Sequence, residues 1–399
     1  MPYSKLCAFF LFYVFAQQSK ADPIMTCYAK TGKPMPEQID PFLCTHYLLI
    51  GNVTLNADGL GFPNTSLLAR YVNLKQINPD LKILLSLTPE NRYMSQMAVN
   101  ITWIEAASIQ VRDFLLQNNL DGYDFDWEFP VWSGDSQWSD KEGFVQIAKT
   151  FRAAFDQSPR RLLLTAAVVA MYNIADLGYN APELNKYLDY IQIMNYDFHR
   201  YSVYRPFTSF NAPLHKEPYE QWIMGYVNSE FSTQHWLELG ISPEKLIFGI
   251  PVYGIGYELL NSSLNGLYSP ATNYSKYGST IPYRKACAYM KMKQFKYTWD
   301  DYAKTPYIVN GRQWLAVEDK KSVRAKADYA RSLNIGGVMV FALDSDDYDG
   351  RCKDGTYPLL REIKYTLMQK QYKIEFIKMA SESDKWIMFG GKEAQRKRH

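Results

Sequence analysis

At 399 residues, with 47% hydrophobic and 15% aromatic content, the chain holds enough core material for one large domain or two ordinary ones. Its 44 Lys+Arg against 41 Asp+Glu leave a formal charge of +3, too balanced to argue for nucleic acid or an anionic membrane as partner. A neutral polymer is the easier partner. The 31 Tyr and 9 Trp suit stacking on sugar rings but serve equally in ordinary cores, so composition only narrows the choice.

The chain opens with Lys5, an apolar run from Leu6 to Ala16, and the polar stretch ending Ser19-Lys20-Ala21. That pattern predicts a secretory signal over 1–21, cleaved near Ala21 and too short to span a bilayer. Nothing later is apolar enough to cross a membrane, so none is expected to hold the protein after cleavage. Removing Cys7 with the signal leaves Cys27, Cys44, Cys287 and Cys352, an even count that suits an oxidising compartment. Four cysteines allow three pairings, and no C-x-x-C spacing points to metal. Acceptor sequons begin at Asn52, Asn64, Asn100, Asn261 and Asn273, open to glycosylation on a secretory route.

In chain order, short apolar runs bounded by turn residues predict strands at Met25–Tyr28, Thr45–Leu49, Lys82–Ser86, Gly122–Asp126, Leu162–Ala167, Tyr190–Met194, Lys245–Gly249 and Gly337–Phe341. Between them Ile101–Gln117, Lys141–Phe155 and Ser322–Leu333 read as amphipathic helices. Eight strands alternating with helices fit a closed parallel (β/α)8 barrel. A doubly wound open sheet fits less well, because no glycine-rich phosphate loop follows the first strand. Residues 22–370 form the barrel on this reading. Ile255 to Asp319, rich in Tyr, Ser, Asn and Gly, reads as a small α+β insertion between the seventh strand and its helix. The segment 371–399 ends in Gln395-Arg396-Lys397-Arg398-His399, a basic, solvated tail.

The octapeptide Asp121-Gly122-Tyr123-Asp124-Phe125-Asp126-Trp127-Glu128 carries the chemistry. Extended backbone alternates faces, so Asp124, Asp126 and Glu128 share one face while Tyr123, Phe125 and Trp127 share the other. A row of buried like charges disfavours ionisation, so at least one carboxyl should hold its proton above the usual range, as a general acid must. A calcium loop counted from Asp124 fails, because it lacks a glycine at its sixth place and meets Asp135 at its twelfth. Magnesium and a solvated acidic sheet edge are the other readings of such a row. Neighbouring carboxylates about 6.6 Å apart on one face cannot flank a sugar from opposite sides, so a nucleophile must come from elsewhere.

These residues resemble family 18 of the glycoside hydrolases, the chitinases and chitinase-like lectins. The octapeptide matches the family's Asp-Gly-x-Asp-x-Asp-Trp-Glu at every fixed position. Met194-Asn195-Tyr196-Asp197, continued by Phe198-His199, matches its Met-x-Tyr-Asp stretch after the sixth strand. Pro251-Val252-Tyr253-Gly254 matches Pro-x-Tyr-Gly, and Gly336 to Val340 matches the closing Gly-Gly-x-Met run. The likeness covers residues 24–368. It implies a secreted, monomeric hydrolase that needs neither cofactor nor metal and cuts β-1,4 bonds between N-acetylglucosamine units of chitin or its oligosaccharides. It also implies the pairings Cys27–Cys44 and Cys287–Cys352.

Family members use the substrate's own acetamido oxygen as nucleophile. By resemblance Glu128 is then the acid and base, and Asp126 orients the acetamido group and shares a proton with Asp124. Tyr196 bonds the acetamido carbonyl, Asp197 a sugar hydroxyl, and Met194 shapes the pocket floor. Tyr28, Trp127, Tyr253 and Phe341 complete the expected substrate-binding set.

Four departures stand out. Phe341 replaces the usual closing Trp; Ser86-Leu87-Thr88-Pro89 replaces Ser-x-Gly-Gly; Ile255 replaces the Arg after Pro-x-Tyr-Gly; and the stretch between Cys27 and Cys44 lacks its usual aromatic. None removes the acid, so a hydrolase is expected. A lectin that binds chitooligosaccharide without turnover is the second reading, and a scaffold independent of carbohydrate the third.

Overall fold

In the computed structural model the described residues are 23–369, apart from Thr31. The expected signal over 1–21, the basic tail 371–399 and the side chain of Asn52 lie outside them. Eight parallel strands close on themselves: Ile24–Lys30, His46–Asn56, Lys82–Leu87, Gly122–Asp126, Leu163–Val169, Tyr190–Met194, Leu246–Pro251 and Gly337–Phe341. Each pairs with its sequence neighbour, and the last returns to the first through Ile24 opposite Gly337. Helices cross between strands on the outside, the arrangement of a TIM barrel. The second strand runs seven residues past its expected end at Leu49, because it turns back through an antiparallel pairing with Gly59–Gly61.

The alternation of the octapeptide sets how the fourth strand sits. All of Gly122–Asp126 is buried, as parallel strands covered on both faces require. Tyr123, Phe125 and Trp127 turn outward against the helix Asp140–Asp156, with ring centroids 5.9 Å (Tyr123–Phe151), 5.0 Å (Phe125–Phe151) and 5.6 Å (Trp127–Phe144) apart. Asp124 and Asp126 turn inward. Gly122 is demanded by its neighbour: a Cβ there would lie 2.4 Å from the Leu163 carbonyl oxygen.

Asp140 anchors the loop after this strand, its Oδ2 accepting from Ser95 Oγ at 2.9 Å and the Gln137 N–H at 2.7 Å. The insertion follows the seventh strand. Tyr253–Leu259 and Gln313–Ala316 lie at the centre of a sheet completed by Ala271–Tyr274, Thr280–Pro282, Thr305–Asn310 and Lys296–Asp300, with the helix Tyr283–Lys291 packed beside it. Ile255 is buried in that module's core with Tyr257 and Trp314. Disulfides join Cys27 to Cys44 and Cys287 to Cys352. No helix among the described residues is long and apolar enough to cross a membrane.

Candidate active site

Inside the barrel Asp124 sits at the centre of a belt drawn from five strands. Its Oδ2 accepts from Tyr28 Oη at 2.7 Å and Ser86 Oγ at 2.8 Å, and its Oδ1 from Thr165 Oγ1 at 2.5 Å and Gln192 Nε2 at 3.0 Å. Burial raises the Asp124 pKa, and the four donors pull it back toward ionisation. With both oxygens taken up, Asp124 makes no hydrogen bond to Asp126. The proton expected to be shared by those two therefore has no direct hydrogen bond to lie in; after burial itself, Glu128 raises the Asp126 pKa most, and Asp124 less.

Asp126 stands one layer higher, 4% exposed. Burial, then Glu128, then Asp124 push its pKa well above the carboxylate range, and a hydrogen bond from Thr88 Oγ1 at 3.0 Å opposes them. Glu128 lies two residues beyond the strand's end and presents its side chain to solvent. The surrounding protein raises its pKa, the Asp197 carboxylate adds to that, and the Arg200 guanidinium works against it.

Glu128, Met194, Tyr196, Asp197, Tyr253 and Phe341 line one cleft of about 410 Å³ at the carboxyl end of the strands. That brings together residues carried by four different strands, as the topology of such barrels allows. Asp197 takes a left-handed backbone (φ 57°), which short polar side chains tolerate, and its N–H donates to Asn211 Oδ1 at 3.0 Å. Its carboxylate accepts from Tyr253 Oη at 2.9 Å. Phe341 forms an aromatic floor with Tyr28 and Tyr196, both at 5.6 Å between centroids, and with Tyr253 at 6.2 Å.

Two expected substrate contacts are placed elsewhere. Trp127 is 1% exposed and faces the helix layer, where its Nε1 donates to Asn91 Oδ1 at 2.8 Å, so it does not line the cleft. Its position in the octapeptide already put it on the face opposite the carboxylates. Tyr28 is also buried and lies beneath the cleft, holding Asp124.

Several residues of the site carried no motif signal. Arg200 lines the cleft and donates to both carboxylate oxygens of Asp197. Lys30 also lines it, its Nζ 5.7 Å above the Phe341 ring and 3.5 Å from Asp344 Oδ2. Gln192, Ser86 and Thr165 become visible only once strand register shows that they meet one aspartate. Among the described residues no group of three His, Cys, Asp or Glu side chains is arranged to hold a metal ion.

Known proteins share both sequence and fold with this chain. Mouse chitotriosidase-1 is 33% identical over 349 residues, covering 83% of this chain and 74% of its own. The Group IV chitinase of Ostrinia furnacalis, solved in complex with allosamidin, superposes with a TM-score of 0.81 at 31% identity, covering 87% of this chain and 99% of that one. Human YKL-39, a pseudo-chitinase with retained chitooligosaccharide binding, superposes with a TM-score of 0.79 at 29% identity, covering 86% and 99%. The family model for glycosyl hydrolases family 18 matches residues 14–346, and the chain belongs to that family.

Proposed function

We propose that the protein is a chitinase-type hydrolase that cuts β-1,4 bonds between N-acetylglucosamine units with retention of configuration. The observation that carries this reading is Glu128 at the mouth of the fourth strand, open to the cleft and with its pKa raised. A raised pKa favours the protonated carboxyl, and the open cleft lets a sugar reach it, as general-acid catalysis requires.

In the proposed cycle the acetamido carbonyl oxygen attacks the anomeric carbon while Glu128 gives its proton to the leaving glycosidic oxygen. Water then opens the oxazolinium ion as Glu128 takes back a proton. Asp126 accepts the acetamido N–H and offsets the positive charge that develops beside it. Tyr196 donates to the acetamido carbonyl, Asp197 bonds a sugar hydroxyl, and Phe341 supports the reacting ring. Met194 and Tyr253 shape the wall. We propose that the protein acts as a monomer.

We further propose a secreted, extracellular protein, supported by the leading segment, the two disulfides and the exposed sequons Asn64, Asn100, Asn261 and Asn273. One observation favours a lectin as the second reading. Phe341 offers the reacting sugar less area than Trp and no indole donor, and a family relative binds chitooligosaccharides as a pseudo-chitinase. Incubating the protein with N-acetylglucosamine oligomers of increasing length and following product sizes separates the two. New shorter products support the hydrolase; binding with every oligomer intact supports the lectin.

A further inference from the structure

The third barrel strand ends at Leu87, and Thr88 follows at the point where the chain leaves the barrel for the helix Asn91–Ala98. Thr88 is exposed, yet its hydroxyl reaches inward to Asp126 Oδ2. The other oxygen, Asp126 Oδ1, is buried and takes no hydrogen bond from the described residues. The carboxylate is thus held by one edge only. This donor arrives with a departure from the family's Ser-x-Gly-Gly stretch, since threonine stands where a glycine would offer no side chain.

We propose that Thr88 is a positioning residue of the site, pinning Asp126 Oδ2 so that Oδ1 is turned to the acetamido N–H of the sugar. This rests on the reading of Asp126 given above. The chemistry needs one proton on the Asp126–Glu128 pair, and needs it on Glu128. Asp124 and Glu128 both push a proton onto Asp126, while Tyr28, Tyr179 and Tyr196 around it stay neutral because burial raises their own pKa values. Among the described residues Thr88 supplies the only side-chain hydrogen bond to Asp126 that opposes this. A donor to the ionised form favours it, so the hydroxyl moves the proton toward Glu128.

Thr88→Val keeps the shape and removes the donor; Thr88→Ser keeps the donor. Two readouts on wild type and both variants test the proposal: turnover of N-acetylglucosamine oligomers across pH, and affinity for the trimer across pH. A protonated Asp126 accepts the N–H more weakly than the carboxylate does, so affinity falls on the acid side as Asp126 gains its proton. Thr88→Val is expected to lose affinity at higher pH than wild type. Its kcat should fall on the order of tenfold even at the optimum, because the proton's place on the pair is then wrong at every pH. Thr88→Ser should stay near wild type in both.

Identical pH profiles for Thr88→Val and wild type, or Thr88→Ser behaving like Thr88→Val, would overturn the role assigned to Thr88. If wild type binds oligomers without cutting them and Thr88→Val still shifts the acid midpoint, the hydrolase reading fails while the role of Thr88 stands.

Discussion

The Arg200 guanidinium donates to Asp197 Oδ1 at 2.8 Å and Oδ2 at 2.7 Å, placing an ion pair on the wall of the cleft that also holds Glu128. The two charges act on Glu128 with opposite sign, Asp197 raising its pKa and Arg200 lowering it. Both are partly solvated, so their effect is one of tuning rather than of stability.

Opposite shifts on the alkaline side of the pH–rate profile are therefore expected. A general acid stops working as it loses its proton, so the alkaline limb follows the pKa of Glu128. Asp197→Asn removes a raising charge and should move that limb to lower pH. Arg200→Ala removes a lowering charge and should move it to higher pH. Profiles of kcat against pH on a soluble chitooligosaccharide check both, and two limbs moving the same way would contradict the arrangement.

Much of the site was legible in the sequence because strand alternation is a strong local rule. Asp124, Asp126 and Glu128 on one face, and Tyr123, Phe125 and Trp127 on the other, follow from the alternation of six consecutive residues and little else. Placing Trp127 in the cleft broke that same rule, and its contact with Phe144 shows the rule winning. Tyr28 is subtler: the first strand turns it inward as alternation allows, but depth within the barrel decides that it meets Asp124 rather than sugar. Gln192, Ser86 and Thr165 depend on strand register, and Arg200 on the path of a loop. Neither is written in local spacing.

Phe341 invites a gain of function. It sits among Tyr28, Tyr196 and Tyr253 at the foot of the cleft, where a larger ring would present more surface to a sugar. Phe341→Trp is expected to tighten binding of N-acetylglucosamine oligomers by on the order of 1 kcal/mol, about fivefold, measured by calorimetry. Unchanged affinity and kinetics would show that this position does not support the sugar.

Away from the cleft, Lys326 Nζ bonds both Glu318 oxygens, at 2.7 and 2.6 Å, with neither side chain open to solvent. Ser322 Oγ and Thr305 Oγ1 complete the group at 2.5 and 3.0 Å. Lys326→Met strands a buried carboxylate and should cost about 3–5 kcal/mol of stability. The double variant Lys326→Met with Glu318→Leu should recover most of that loss. Chemical denaturation of the three proteins checks this; a double variant no better than the single would mean packing, not stranded charge, sets the cost.

The most direct measurement on the central claim is release of reducing ends from a chitooligosaccharide by Glu128→Gln beside wild type, with binding of the same oligomer followed in parallel. Glutamine keeps the shape of the side chain and cannot give up the proton. Turnover is expected to fall on the order of a hundred- to ten-thousand-fold while affinity is kept. Turnover by Glu128→Gln at the wild-type rate would contradict it.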